Sequence, residues 1–94
     1  MAVVVTQEFE STPEQYDQVT EKIDPGSNPP DGLLVHAGIE LGGDKMKAVD
    51  VWESADKFQT FAETRLGPAI AEVIGPDAPE ADVDIQEART VVKP

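Results

Sequence analysis

Two runs of apolar alternation, Leu33–Leu41 and Met46–Glu53, flank the short segment Gly42-Gly43-Asp44-Lys45. Paired glycines and an Asp between such runs are the composition of a tight β-hairpin turn, because these turns need residues that accept positive φ. The second run leads directly into Ser54 and a helical stripe, with Trp52 at the junction. A hairpin that feeds a helix leaves few options. Every other element must pair with a hairpin edge or cover one of its faces.

The flanking segments supply those elements. Ala2 to Phe9 is a β-branched run that suits a first strand. Thr12 is a good N-cap, Pro13 suits the first helical position, and Gln15 completes a capping box. Tyr16, Val19 and Ile23 then recur at helical spacing until Asp24-Pro25-Gly26 stops the helix. Residues 25–32 hold three prolines and two glycines and form a loop. After Trp52, Ser54 is the next N-cap and Asp56 lies in the first turn, where the helix dipole favours an acid. Phe58, Phe61, Ala62, Arg65 and Leu66 form one stripe. Gly67-Pro68 is expected to break or kink this helix before a short piece carrying Ile70, Val73 and Ile74. Asp82 to Val92 reads as a fourth strand with a bulge near Glu87-Ala88. The order is βαββαβ, the ferredoxin-like arrangement. It predicts an α+β fold in one domain over residues 1–94, a four-stranded antiparallel sheet with the helices on one face.

Placing Leu41 opposite Met46 pairs Glu40 with Lys47, Ala37 with Asp50 and Val35 with Trp52. Leu33, Val35, Ala37, Ile39, Leu41, Met46, Ala48, Asp50 and Trp52 then share the face under the helices. His36 falls on the opposite face with Leu34, Gly38, Val49 and Val51. Pairing shifted by one residue would instead bring His36 beside Asp50 and Trp52, and a His–Asp pair in a pocket is a much stronger catalytic signal.

Asp50 and His36 are the candidate catalytic residues. Asp50 is the one acid on an otherwise apolar face. It is either a proton acceptor or half of a structural ion pair with Arg65 or Arg89. His36, the only histidine, carries an imidazole, a side chain suited to general-base work; its alternative is a hydrogen-bonded residue in a sheet–sheet contact. Trp52, Tyr16, Phe58 and Phe61 are the candidate ligand-binding residues. Each could equally be packing, with the Tyr16 hydroxyl at a rim. Ser54 is explained by capping and has no nucleophile elbow around it.

Composition narrows the partners. Nineteen acids against seven bases give a net charge of -12. Binding to nucleic acid or to an anionic membrane needs a basic surface and is not expected. With no cysteine and one histidine, neither disulfides nor a metal site is expected. No apolar run approaches the ~20 residues of a membrane span, and the N-terminal stretch lacks the pattern of a signal peptide, so a cytoplasmic location is expected. Aromatics are only 5% of the chain, so the core of a lone copy is small and a homodimer through the sheet face is expected.

At Val49-Asp50-Val51-Trp52-Glu53-Ser54, followed by Phe58, Phe61 and Arg65-Leu66-Gly67-Pro68, the chain resembles the dimeric α+β barrel superfamily. It is most similar to proteins near the antibiotic biosynthesis monooxygenases, many of which have no known activity. Trp52 and Ser54 match that family's strand-three Trp and the Ser two residues on. The resemblance implies a homodimer in which two sheets meet face to face, with a pocket between each sheet and its own helices. It implies a small apolar or aromatic ligand and a cofactor-independent monooxygenase or isomerase; a non-catalytic binding module on the same fold is the alternative. Haem-degrading relatives carry an axial His where this chain has Phe61 and Ala62, so no haem or other cofactor is expected. The oxygenases place an Asn on the sheet, whereas the only Asn here is Asn28, in a loop.

Overall fold

The computed structural model describes residues Met1–Pro94. Four strands, β1 (Val3–Glu10), β2 (Leu33–Gly42), β3 (Lys45–Trp52) and β4 (Asp82–Glu87), form one antiparallel sheet in the order β2-β3-β1-β4. Helix α1 (Pro13–Ile23) and the continuous helical stretch Ala55–Val73 cover one face. This is the ferredoxin-like arrangement that the element order predicts. The barrel implied by the family resemblance is not present. The sheet is open, and β2 and β4 are its two unpaired edges.

Local signals set most boundaries. The Thr12 Oγ1 accepts from the Gln15 amide and the Gln15 Oε1 accepts from the Thr12 amide, both at 3.1 Å, which closes the capping box of α1. Asp24 ends α1 in the left-handed region at φ 53°. Ser54 Oγ accepts from the Lys57 amide at 3.2 Å and starts α2 (Ala55–Phe61). Of the break or kink expected at Gly67-Pro68, the helix does not stop, but it changes geometry there. Pro68 has no amide to donate and would crowd the preceding turn of an α-helix. The chain stays helical by widening into a π-helical turn over Ala62–Leu66, with the Gly67 amide bonded to the Ala62 carbonyl, before α3 (Gly67–Val73). Strand β4 stops at Glu87, short of the expected Val92. Beyond Glu87 the Ala88 amide makes one bond to the Ala2 carbonyl, and no ladder continues.

The hairpin register differs from the expected one, and a bulge is the reason. The turn is a two-residue Gly43-Asp44 loop with both φ values positive, 61° and 57°, and Gly42 lies opposite Lys45. The pairing then skips Leu41, so Glu40 faces Met46 and Ile39 faces Lys47. One inserted residue moves every later side chain of β2 to the other face. His36 and Gly38 therefore join Ala48, Asp50 and Trp52 under the helices. Val35, Ala37 and Ile39 join Val49 and Val51 on the outer face. A second irregularity between Leu33 and Val35 returns Leu33 to the inner face, opposite Trp52.

The inner face divides into a packed half and a hollow half. Val3, Val5, Trp52 and Phe58 form one buried cluster, with Trp52 and Val5 fully enclosed. Trp52 meets Phe58 edge-on at 5.7 Å and Phe61 at 5.0 Å. Val19, Ile23 and Ala69 form a second cluster between α1 and α3, and Phe61 touches both. Between the clusters the middle of the sheet floor narrows to the small residues Ala48 and Gly38, flanked by Gln7, His36 and Asp50. That change from large to small residues leaves a cavity.

Candidate functional site

The cavity measures about 120 Å³. Its walls are chiefly apolar, with Val19, Ile23, Phe61, Leu66 and Ile70 from the helices. Its polar lining comes from Gln7, Tyr16, His36 and Asp50, with Glu10, Ser11 and Thr20. A cavity of roughly 150 Å³ holds a benzene ring in a known protein interior; this one is somewhat smaller but open on one side, which limits an occupant to a single compact ring.

Three side chains from three elements make a hydrogen-bonded chain along the cavity wall. The Tyr16 hydroxyl, from α1, lies 2.5 Å from Nε2 of His36 on β2. His36 Nδ1 lies 2.6 Å from Oδ1 of Asp50 on β3. The other oxygen of Asp50 accepts from the indole N–H of Trp52 at 3.2 Å. The polarity follows from these contacts. A protonated Tyr16 donates to Nε2, so Nδ1 carries the imidazole proton and donates to Asp50. The Asp50 side chain is only 4% exposed, yet both of its oxygens have donors, which is what a buried carboxylate requires.

Sequence places Tyr16 where it can reach. Gly38 lies two residues after His36 on the same face of β2, and the Tyr16 ring lies over it; a Cβ on Gly38 would come within 2.6 Å of the Tyr16 Cζ. The phenol also stacks between neighbours, 6.4 Å from the Phe9 ring and 6.1 Å from the imidazole. Burial pushes the Tyr16 phenol above its usual value of 10.0. A hydrogen bond from the Thr20 side chain works against that shift, and the negative charges of Asp50 and Asp17 add to it.

The chain can take up one proton from the cavity. A ligand hydroxyl that meets the Tyr16 oxygen can pass its proton there while the phenol proton moves to His36 Nε2. The resulting imidazolium is held against Asp50.

Asp50 and His36 come together, as the one-residue shift in pairing predicts, and Asp50 pairs with neither Arg65 nor Arg89. Arg65 instead donates to the carbonyls of Ile23 and Asn28 and ties down the loop after α1. Tyr16 and Phe61 line the cavity, whereas Trp52 and Phe58 are enclosed in the core beside it. Trp52 reaches the site only through its N–H on Asp50. Two residues were not singled out by sequence reasoning. Gly38 gives no signal until the register is known. Gln7 does: it interrupts the inward series Val3, Val5, Gln7, Phe9 with a polar residue. No group of three or more His, Asp or Glu side chains is placed to hold a metal ion, and no helix is long and apolar enough to cross a membrane.

No protein-family model matches the chain, and no curated protein matches it. Solved structures do match over nearly its full length. A candidate antibiotic biosynthesis monooxygenase from Deinococcus radiodurans superposes with a TM-score of 0.70 at 15% identity, covering 97% of this chain and 96% of that one. SnoaB, a cofactor-independent oxygenase from Streptomyces nogalater, gives 0.65 at 14% identity over 97% and 95%. The NE2512 protein of unknown function from Nitrosomonas europaea gives 0.71 at 13% identity over 99% and 94%. At these identities the likeness is one of fold, and the chain has the ferredoxin-like fold of antibiotic biosynthesis monooxygenase-like proteins.

Proposed function

We propose that this protein is a cofactor-independent monooxygenase of a small phenolic or enolic compound, and that it begins by removing the acidic proton of its substrate. The observation that carries the reading is the His36–Asp50 pair, capped by Tyr16, on the wall of a mainly apolar cavity. The fold likeness to SnoaB supports the same class. Deprotonation through Tyr16 makes the ring electron-rich. Dioxygen can then react at a ring C–H, which becomes C=O. One oxygen atom is retained and the other leaves as water with the two hydrogens released, so a phenol and dioxygen become a quinone and water. The substrate supplies every electron.

The test is dioxygen uptake with a panel of single-ring phenols and small enols. Uptake should be present in the wild type and lost in folded His36→Gln and Asp50→Asn. Undiminished uptake in folded His36→Gln would overturn the reading. Product formed without dioxygen uptake would select an isomerase, since the same proton transfer serves both. Binding without any turnover would select the non-catalytic module. That alternative is favoured by the internal pairing of His36 and Asp50, which is complete without a ligand.

We also propose that the protein self-associates through the outer face of its sheet. Val35 and Ile39 are 56% and 42% exposed there, beside half-buried Val4, Val49 and Val51. A water-facing sheet surface normally carries polar residues at such positions. His36 is not part of this face.

A further inference from the structure

Gln7 is the one large buried polar side chain of the inner sheet face that the proton relay does not use. It is 8% exposed, lines the cavity, and makes no side-chain hydrogen bond to the protein. Its carboxamide carries two N–H donors and an acceptor, and none of these polar atoms is sealed away from the cavity opening. With no protein partner, these groups are available to whatever occupies the cavity, water or a ligand.

The position of Gln7 says where a partner group on a ligand lies. Gln7 is opposite Ala48, and Ala48 is opposite Gly38, over which Tyr16 sits. Gln7 and the Tyr16 hydroxyl therefore flank the same small floor residue. Two strand spacings, roughly 9–10 Å, separate the Gln7 and Gly38 columns. One ring with polar groups at opposite ends spans that gap, and the cavity of about 120 Å³ admits little more.

We propose that Gln7 is a specificity-determining residue that hydrogen-bonds an oxygen on the far side of the ligand ring from its ionisable hydroxyl. This rests on the proton-abstraction reading of the same site. It narrows the substrate to compact rings with a carbonyl or similar acceptor opposite the phenolic group. The Gln7 amide donates to that acceptor while Tyr16 receives the phenol. A ligand of the same shape without the second oxygen leaves the buried amide unpaired, and the site discriminates against it.

The test compares 4-hydroxyacetophenone with 4-ethylphenol, which has nearly the same shape but no carbonyl. Binding is followed by the indole N–H resonance of Trp52, the only tryptophan, whose hydrogen bond to Asp50 reports on the relay. The wild type should bind the carbonyl compound more tightly by roughly tenfold. Gln7→Met, of similar length and apolar, should reduce that preference to near unity. The two phenols differ in acidity, but that difference is common to both proteins and cancels in the comparison. Gln7→Met should also raise the melting temperature of the ligand-free protein, which a residue serving the fold would not do. Gln7→Leu gives the same comparison should Gln7→Met fail to fold. An unchanged preference in either folded variant overturns the role of Gln7 and leaves the proton-abstraction reading intact. If neither phenol binds the wild type, both fail together.

Discussion

Gly38 and Tyr16 are in a relationship that only glycine permits: the phenol ring occupies the space that a Cβ at position 38 would need. The proton relay depends on this close approach. Gly38→Ala should push the Tyr16 hydroxyl off His36 Nε2 and towards water. The strand itself tolerates alanine, so the fold should survive. Tyr16 is the only tyrosine, so ultraviolet titration reads its ionisation directly. The raised value should fall back towards that of a free tyrosine, and ligand binding should weaken. A folded Gly38→Ala protein with an unchanged tyrosine titration would contradict the packing described above.

The raised Tyr16 value also makes a signed prediction for stability. Its folded value lies above the unfolded 10.0. The contribution is therefore fully present below pH 10 and is lost as pH rises through the folded value. Lys57 is also raised, chiefly by its hydrogen bond to Asp31, and loses its contribution in an overlapping alkaline range. Comparison with Tyr16→Phe separates the two. From about pH 9 upwards, the wild type should lose melting temperature faster than Tyr16→Phe. Parallel melting curves would show that the phenol is not held in its buried state.

Trp52 has two separable roles. Trp52→Phe keeps an aromatic ring against Phe58 and Phe61 but removes the N–H that serves Asp50. It should cost about 1–3 kcal/mol, the range for leaving a buried acceptor short of a partner. Trp52→Ala also opens a cavity in the packed half and should cost about 3–5 kcal/mol. Chemical denaturation measures both. Equal losses would mean that packing contributes little beyond the hydrogen bond, and an unchanged Trp52→Phe would mean that the hydrogen bond to Asp50 contributes little.

The helix caps, the element order and the inward side of β3 were legible because each is set by neighbours in sequence. Thr12 with Gln15 and Ser54 with Lys57 are local hydrogen bonds, and Met46, Ala48, Asp50 and Trp52 alternate without interruption. The inward side of β2 was not legible. Hydrophobicity pointed Val35, Ala37 and Ile39 inward, as they would be in a sheet with only one apolar face. Here both faces carry apolar residues, so the pattern is ambiguous and the bulge at Leu41 decides. His36 and Asp50 were both visible as unusual residues, but their contact hangs on that one skipped residue. The uninterrupted helix through Pro68 was hidden for a related reason. A π-helical turn has no composition of its own, and it resolves a conflict that a sequence pattern reads as a stop.

The proposed self-association through the outer sheet face rests on the same register. Val35, Ala37 and Ile39 of β2 lie beside Val49 and Val51 of β3, and β1 adds Val4 opposite Val51. Towards the other end the face becomes charged, with Lys47 opposite Glu8 and Lys45 opposite Glu10. Those cross-strand pairs mark a polar rim. A second copy related by two-fold symmetry presents the same apolar patch and covers this one. The net charge of -12 opposes the approach of two copies, but screening over about 8 Å at physiological salt reduces that repulsion. Dimers should therefore persist near physiological salt and weaken as ionic strength falls. Val49→Lys should place an unpaired charge in the contact and yield monomers, with the cavity and relay on the opposite face untouched. Sedimentation equilibrium at tens of micromolar, read beside the Tyr16 titration, decides the matter. A wild-type monomer, or a Val49→Lys dimer of unchanged affinity, would remove the outer face as the contact surface.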